Sequence, residues 1–211
     1  MWGKGSGVSS LGYPAPWEEN GLTRNKRHAA LVVGGSSSVG QYGALHVLAS
    51  NTHPFSTTLR MPEAIQMAKL QGFSPIIATS SLQHADYLKT IGATHVLDRS
   101  LPPADILVEL PKLSVGKPIE YAFDAISAPE TQHLAYDALA PGGAMITTQP
   151  FSEAILADKE KRDGGSKKVA RPYATANLEL IARLTEWLEK GYLVVCGLLS
   201  AHATWNSPCL V

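Results

Sequence analysis

A turn rich in glycine and serine follows the first apolar run of the chain. The run Leu31–Val33 leads into two glycines, three serines and then Gly40. Glycine lets a backbone turn sharply and approach a ligand closely, and amides at a helix N-terminus attract anions. The spacing is a loose form of the dinucleotide-binding fingerprint, and a tight connection without a ligand is an equal alternative. The predicted pyrophosphate contacts are Gly35, Ser36, Ser37, Ser38, Val39 and Gly40.

The second predicted strand ends in hydroxyl groups and carries no carboxylate there. Its last residues are Thr79, Ser80 and Ser81. An Asp or Glu at this position binds the ribose hydroxyls of NAD and would repel a 2′-phosphate. Hydroxyls tolerate the phosphate, so the sequence favours NADP(H) over NAD(H), although no Arg or Lys stands at the strand end. Helix N-capping is an equal interpretation of Ser80 and Ser81, and the two roles are compatible.

Short apolar runs alternate with helix-like stretches along the chain. Alternating strands and helices predict an α/β fold, a Rossmann-type doubly wound parallel sheet with flanking helices. An amphipathic helix over 177–190 is expected to cover that sheet. The predicted strands are Ala29–Gly34, Pro75–Thr79, His95–Asp98, Glu120–Ala125 and Gly143–Thr148, and the predicted helices between them include Leu82–Ile91 and Pro129–Leu139.

Composition excludes several classes of protein. The chain has 211 residues, is 45% apolar and carries no net charge, which is typical of a globular domain and indicates neither a nucleic-acid nor a membrane partner. The mixed-charge run 158–163 is interpreted as a solvated loop. Cys196 and Cys209 are the two cysteines, too few for a disulfide framework or a Cys-rich zinc site, so we expect free thiols and no metal. The sequence shows neither an apolar core of signal-peptide length at its N-terminus nor a long apolar run, so a cytoplasmic location is expected.

Six ordered motifs resemble the zinc-independent medium-chain dehydrogenase/reductases, which include quinone oxidoreductases, and are most similar to the fungal trans-acting enoyl reductases. The resemblance covers residues 11 to 190 and only the cofactor domain of that family. It implies NADPH-dependent reduction of an enoyl or quinone-like small molecule or acyl thioester. The motifs are Leu11–Trp17, Val33–Tyr42, Ala64–Ser81, Ile91–Asp98, Phe123–Ser127 and Ala140–Gly143.

The resemblance also implies further cofactor contacts at the carboxyl ends of the strands. Asp124, Ala125 and Ile126 would lie near the adenosine half, and Thr147 and Thr148 near the nicotinamide. A turn role explains Asp124 equally well, and β-propensity suffices to explain the threonines. Arg99 occupies a position that often contacts the adenine end in relatives.

Three departures from the family limit the functional prediction. The GroES-like domain, which forms much of the substrate cleft in these enzymes, is absent from this sequence. Removing 43–63 restores a continuous family-like first helix, so we interpret these residues as an insertion from a retained intron or gene-model error; spliced transcripts that all contain the segment would refute this. The tail 191–211 no longer follows the family. The predicted organisation is a linker at 1–26, a cofactor domain at 27–190 and an atypical truncated tail.

No catalytic residue is identified in the sequence. Neither a Tyr-x-x-x-Lys pair nor a Gly-Lys-Ser/Thr motif follows the turn, which argues against short-chain dehydrogenases and P-loop hydrolases. Two functions remain open: an NADPH-dependent oxidoreductase, or a non-catalytic nucleotide-binding module or inactive fragment. In either case the surface that would dock the absent domain is expected to promote association.

Overall fold

A computed structural model describes residues 23, 25–35, 61–157, 166–170 and 178–193. The chain divides into two units, Met1–Tyr173 and Ala174–Val211. Residues 43–60 of the predicted insertion lie outside the described residues, as do most of the predicted linker and tail. The predicted domain boundaries therefore stay a prediction.

Six parallel strands form one sheet in the first unit, in the order β3-β2-β1-β4-β5-β6. This arrangement confirms the predicted Rossmann-type sheet, with its switch point between β1 and β4. Five of the strands coincide with predicted apolar runs, whereas the short sixth was not predicted. The strands are β1 Ala29–Val33, β2 Ile76–Ser80, β3 His95–Asp98, β4 Ile119–Asp124, β5 Ala144–Thr147 and β6 Lys168–Ala170.

Helices connect the strands, as the alternating pattern predicts. The stretch 82–91 forms a single 3-10 turn, Leu82–His84, followed by a short α-helix. The second unit contains a helix over the range predicted from its amphipathic pattern, while its expected cover of the sheet stays a prediction. The helices are α1 Met61–Leu70, α2 Ala85–Thr90, α3 Pro103–Leu113, α4 Pro129–Ala138 and α5 Leu178–Glu189. No described helix has the length and apolarity needed to cross a membrane.

The core lies on both faces of the sheet because successive residues of each strand point to opposite sides. Val32 belongs to one cluster together with Ile65 of α1 and Leu88 of α2. Leu31 belongs to the other cluster, with residues of α3 and α4. Helices therefore pack on both faces, as a doubly wound fold requires.

The register of the strands gathers their carboxyl ends at one edge. Val33 of β1 pairs with Thr79 of β2 and with Asp124 of β4. Ser80 pairs with Asp98 of β3, and Asp124 pairs with Thr147 of β5. Residues that were predicted from separate parts of the sequence therefore lie along the same edge, where ligands of such sheets bind.

Candidate functional site

The glycine turn after β1 is tied to the end of β2. The Gly34 amide donates to Thr79 Oγ1 at 2.9 Å, and the Gly35 amide donates to the Thr79 carbonyl at 2.6 Å. Gly34 has a φ of 82°, a conformation that favours glycine. Thr79 is only 2% exposed, so its hydroxyl binds the turn from the interior of the domain.

Gly35 lies where a side chain does not fit. A Cβ on this residue would stand 3.2 Å from both Ala78 Cβ and Leu88 Cδ1, and 3.5 Å from the Thr79 carbonyl oxygen. The close approach to β2 and α2 therefore requires glycine or a shift of its neighbours. The other predicted pyrophosphate contacts, Ser36, Ser37, Ser38, Val39 and Gly40, lie outside the described residues.

The hydroxyls at the end of β2 have different surroundings. Ser80 is fully buried and its hydroxyl donates to the Ser81 carbonyl at 3.2 Å. Ser81 is half-buried and stands at the N-cap of the 3-10 turn, but its side chain makes no capping hydrogen bond. Of these two serines, Ser81 is the one whose hydroxyl is available to a ligand.

Arg99 lies beside this strand end. Its backbone amide donates to the Ser80 carbonyl at 3.0 Å, because β3 continues the sheet ladder next to β2. The preceding Asp98 accepts a hydrogen bond from the Ser100 amide at 2.9 Å. That bond, together with the nearby Arg99 guanidinium, lowers the pKa of Asp98 below its usual value. Arg99 therefore follows the strand that lies next to the end of β2, and its side chain is exposed.

Asp124 organises the turn after β4. Its carboxylate accepts hydrogen bonds from the amides of Ile126 at 3.0 Å and Ser127 at 2.9 Å, and from Thr131 Oγ1 at 2.8 Å. The side chain is buried, and burial raises the pKa of Asp124 against the opposing effect of these bonds. The structure therefore shows Asp124 in the turn role that was one of its two predicted roles. Ala125 is buried, and Ile126 is half-buried.

The threonines at the end of β5 also form hydrogen bonds with the protein's own backbone. Thr147 is fully buried and donates its hydroxyl to the Gln149 carbonyl at 2.7 Å. The Thr148 hydroxyl donates to the Ala125 carbonyl at 3.2 Å. The amide of Thr148 donates to the Asp124 carbonyl at 3.2 Å, so the ends of β4 and β5 are joined. As cofactor contacts, both threonines stay predictions.

The buried Asp124 carboxylate predicts a stability that depends on pH. A pKa raised by folding means that the folded state binds the proton more tightly than the unfolded state does, where the pKa of an aspartate is 3.8. The contribution of Asp124 to the unfolding free energy is therefore lost as the pH rises through its folded pKa. Asp124→Asn should remove this dependence, since asparagine is uncharged and can still accept from the Ile126 and Ser127 amides.

Urea unfolding of both proteins between pH 4 and pH 7 measures the effect. We expect the wild-type chain to gain stability relative to Asp124→Asn as the pH falls across this range. Parallel pH profiles for the two proteins would contradict the inferred cost of burying the charge.

Among the described residues, no group of three or more His, Cys, Asp or Glu side chains could hold a metal ion. The described histidines lie in separate places, with His28 just before β1, His84 in the 3-10 turn, His95 in β3 and His133 in α4. The candidate site is thus a ligand-binding edge built from turns, with no catalytic group assigned to it.

Comparisons with known proteins agree with this architecture. A family model described as a zinc-binding dehydrogenase matches residues 63–156. Trans-enoyl reductase cghC of Chaetomium globosum is 33% identical over 168 residues, covering 78% of this chain and 36% of the relative. A zinc-type alcohol dehydrogenase-like protein of Schizosaccharomyces pombe is 29% identical over 202 residues, covering 87% of this chain and 51% of the relative.

Solved structures show the same fold. The CurK enoyl reductase superposes with a TM-score of 0.56 at 19% identity, covering 82% of this chain and 48% of that structure. A mycobacterial protein complexed with NADPH gives a TM-score of 0.53 at 17% identity, covering 80% of this chain and 47% of that structure.

This chain spans between about a third and a half of the length of the two relatives described above. The matched segments include the strand ends and turns of the candidate site. The sheet order, the family match and the relatives together confirm the resemblance seen in the sequence. The described domain is similar to the cofactor-binding domain of the medium-chain dehydrogenase/reductases, a family of oxidoreductases.

Proposed function

We propose that this domain binds NADPH, in preference to NADH, for the reduction of an enoyl or quinone-like substrate without zinc. The observation that carries the proposal is the end of β2. There the Ser81 hydroxyl makes no capping hydrogen bond, and the backbone of Arg99 lies next to Ser80. A carboxylate at this strand end would repel a 2′-phosphate, whereas hydroxyls and a guanidinium bind one. The trans-enoyl reductase relative supports the substrate class, which includes acyl thioesters.

The edge of the sheet would hold the dinucleotide across its switch point. The pyrophosphate would lie at Gly35, whose backbone lies too close to Ala78 and Leu88 to leave room for a side chain. The adenosine half would lie toward Ser81 and Arg99. The turns after β4 and β5 lie on the other side of β1 from β2 and β3. We therefore place the nicotinamide half there, beside Thr147–Thr148 as the resemblance implies, and we move Asp124–Ile126 from the adenosine half, where the resemblance put them, to the same side.

Bound NADPH supplies a hydride, and reduction of an enoyl group also requires a stabilised enolate and a proton source. In this proposal the described residues would help to bind and orient the cofactor. Asp124 and Thr148 fix the turn that would face the nicotinamide side, and Thr79 fixes the turn that would face the pyrophosphate. No described residue is assigned to the enolate or to the proton.

Titration of the purified chain with NADPH and with NADH tests the proposal. Tryptophan fluorescence or calorimetry at fixed salt would follow binding. Saturable binding with a preference for NADPH is the expected result. Binding of neither nucleotide would overturn the proposal and favour the alternative of an inactive fragment.

Arg99→Gln should weaken NADPH binding by roughly tenfold and leave NADH binding unchanged. A charge-assisted hydrogen bond contributes about 1.5–3 kcal/mol, and a difference of about 1.4 kcal/mol is a factor of ten. Since NADH lacks the 2′-phosphate, it provides the internal comparison. Dissociation constants measured for both nucleotides give the selectivity directly.

Arg27→Gln is a matched control for this variant. Arg27 is exposed and precedes β1, at the opposite edge of the sheet from the candidate site. The control should bind both nucleotides as the wild-type chain does. An equal loss of NADPH affinity in both variants would mean that overall charge, and not the position of Arg99, causes the effect.

A further inference from the structure

One serine hydroxyl joins the turns that follow β4 and β5. Ser127 Oγ accepts hydrogen bonds from the amides of Thr148 at 3.0 Å and Gln149 at 3.2 Å. The same hydroxyl lies 3.1 Å from the Asp124 carbonyl, to which it can donate its single proton. A side chain in the first turn therefore binds two successive amides of the second turn.

Gln132 of α4 makes a second connection between the same turns. Its Nε2 donates to the Ser127 carbonyl at 3.1 Å and to the Pro150 carbonyl at 2.9 Å. Its Oε1 accepts from the Ser152 amide at 2.8 Å. Gln132 is buried, so these bonds are shielded from water and their loss would leave polar groups unsatisfied.

Ser127 also has an unusual backbone conformation. Its φ of 59° lies in the left-handed region, which residues other than glycine seldom occupy. Such strain persists only where the surrounding structure enforces it, and it concentrates at ligand sites and switch regions. Here the enforcing contacts are those of the Ser127 amide with Asp124 and of its hydroxyl with the second turn.

We propose that Ser127 is a positioning residue that fixes the spacing of the β4 and β5 turns around the nicotinamide half of the cofactor. This inference rests on the proposed NADPH site. Because β4 and β5 lie on one side of β1 and the Ser81–Arg99 strand ends lie on the other, a dinucleotide that crosses the switch point places its two halves on opposite sides. The Ser127 contacts belong to the side away from the 2′-phosphate.

The test compares NADPH with 2′,5′-ADP, which contains only the adenosine half. Ser127→Ala should raise the Kd for NADPH by roughly tenfold and leave the Kd for 2′,5′-ADP unchanged, since the Gln149 amide loses its acceptor and the Thr148 amide keeps only the Asp124 carbonyl. Ser127→Gly, which accepts a positive φ without strain but lacks the hydroxyl, should show the same loss. Wild-type NADPH affinity in Ser127→Gly would overturn the role of the hydroxyl.

Ser114→Ala is the matched control. Ser114 is buried at the end of α3, and its hydroxyl donates to the Pro111 carbonyl at 3.2 Å, remote from the candidate site. This variant should bind both probes as the wild-type chain does. A loss of affinity for 2′,5′-ADP equal to that for NADPH in Ser127→Ala would indicate general destabilisation and overturn the proposal.

Amide hydrogen exchange gives a readout that does not depend on the cofactor. The Thr148 and Gln149 amides should exchange faster in Ser127→Ala and Ser127→Gly than in the wild-type chain or Ser114→Ala. Unchanged exchange at both amides would overturn the role of Ser127 alone. Failure of the unaltered chain to bind either probe would instead overturn the proposed NADPH function.

Discussion

Replacing Gly35 with valine is expected to abolish measurable NADPH binding and to lower the unfolding free energy of the chain by about 1–3 kcal/mol. The first carbon of any side chain at this position meets Ala78 Cβ and Leu88 Cδ1 at 3.2 Å. A β-branched side chain adds two methyl groups to this contact, so the turn must move away from β2. The 2.6 Å bond from the Gly35 amide to the Thr79 carbonyl would then be lost.

Two further variants separate binding from stability. Gly35→Ala adds only the Cβ and should retain weakened binding, because its neighbours need give way by only a few tenths of an ångström. Gly116→Val places a branched side chain at a φ of 72° with no atom within 4 Å of its Cβ, so it strains the backbone far from the site. Urea unfolding and NADPH titration of all three would show the effect. Normal NADPH affinity in Gly35→Val would contradict a cofactor site at this turn.

The sheet was predictable from the sequence because its central strands are largely apolar. Every residue of β1, Ala29–Val33, is buried. Five successive buried apolar residues are typical of a strand of a parallel sheet, which is covered on both faces. β6 was missed because Lys168 at its start follows a run of charges, and a short edge strand buries too little to impose a pattern on the sequence.

Helix α3 illustrates a different limit. No element was predicted over Pro103–Leu113, which has a proline at its first residue and another at Pro111. Pro103 stands in the first turn, where the missing amide proton costs nothing, and Pro111 lies near the end of the helix. Proline is therefore compatible with this helix because of its position, which a sequence reveals only when the boundaries of the helix are known.

The candidate site was predictable as a set of strand ends, but the roles of its side chains were not. Thr79 and Asp124 were expected on the cofactor, and the structure shows their polar atoms bound to neighbouring backbone. Ser127 entered the prediction only as part of a motif. Nothing in the sequence indicates that this serine has a positive φ or that its hydroxyl forms hydrogen bonds with a turn about 20 residues away. Contacts between distant turns depend on the register of the sheet, and the spacing of residues along the chain does not predict that register.

Ser81→Asp is expected to reverse the cofactor preference of the chain. The Ser81 side chain makes no capping hydrogen bond and is half-buried, so an aspartate can take the place of the hydroxyl at the edge of the site. Its carboxylate would repel a 2′-phosphate and accept hydrogen bonds from the ribose hydroxyls of NADH. Each effect amounts to about 1.5–3 kcal/mol for a charged hydrogen-bonding group, which predicts a change of roughly 100-fold or more in the ratio of the two dissociation constants.

The charge, and not the size, of the new side chain should cause this reversal. Ser81→Asn has nearly the same volume as Ser81→Asp and no charge, so it should weaken NADPH binding only slightly and gain little affinity for NADH. Because the site lies at an exposed edge, the discrimination by Ser81→Asp should also diminish as salt is raised from about 0.05 M to about 0.5 M. Equal selectivity in the two variants would mean that the end of β2 does not contact the 2′-phosphate, and Arg99 would then have no phosphate to bind.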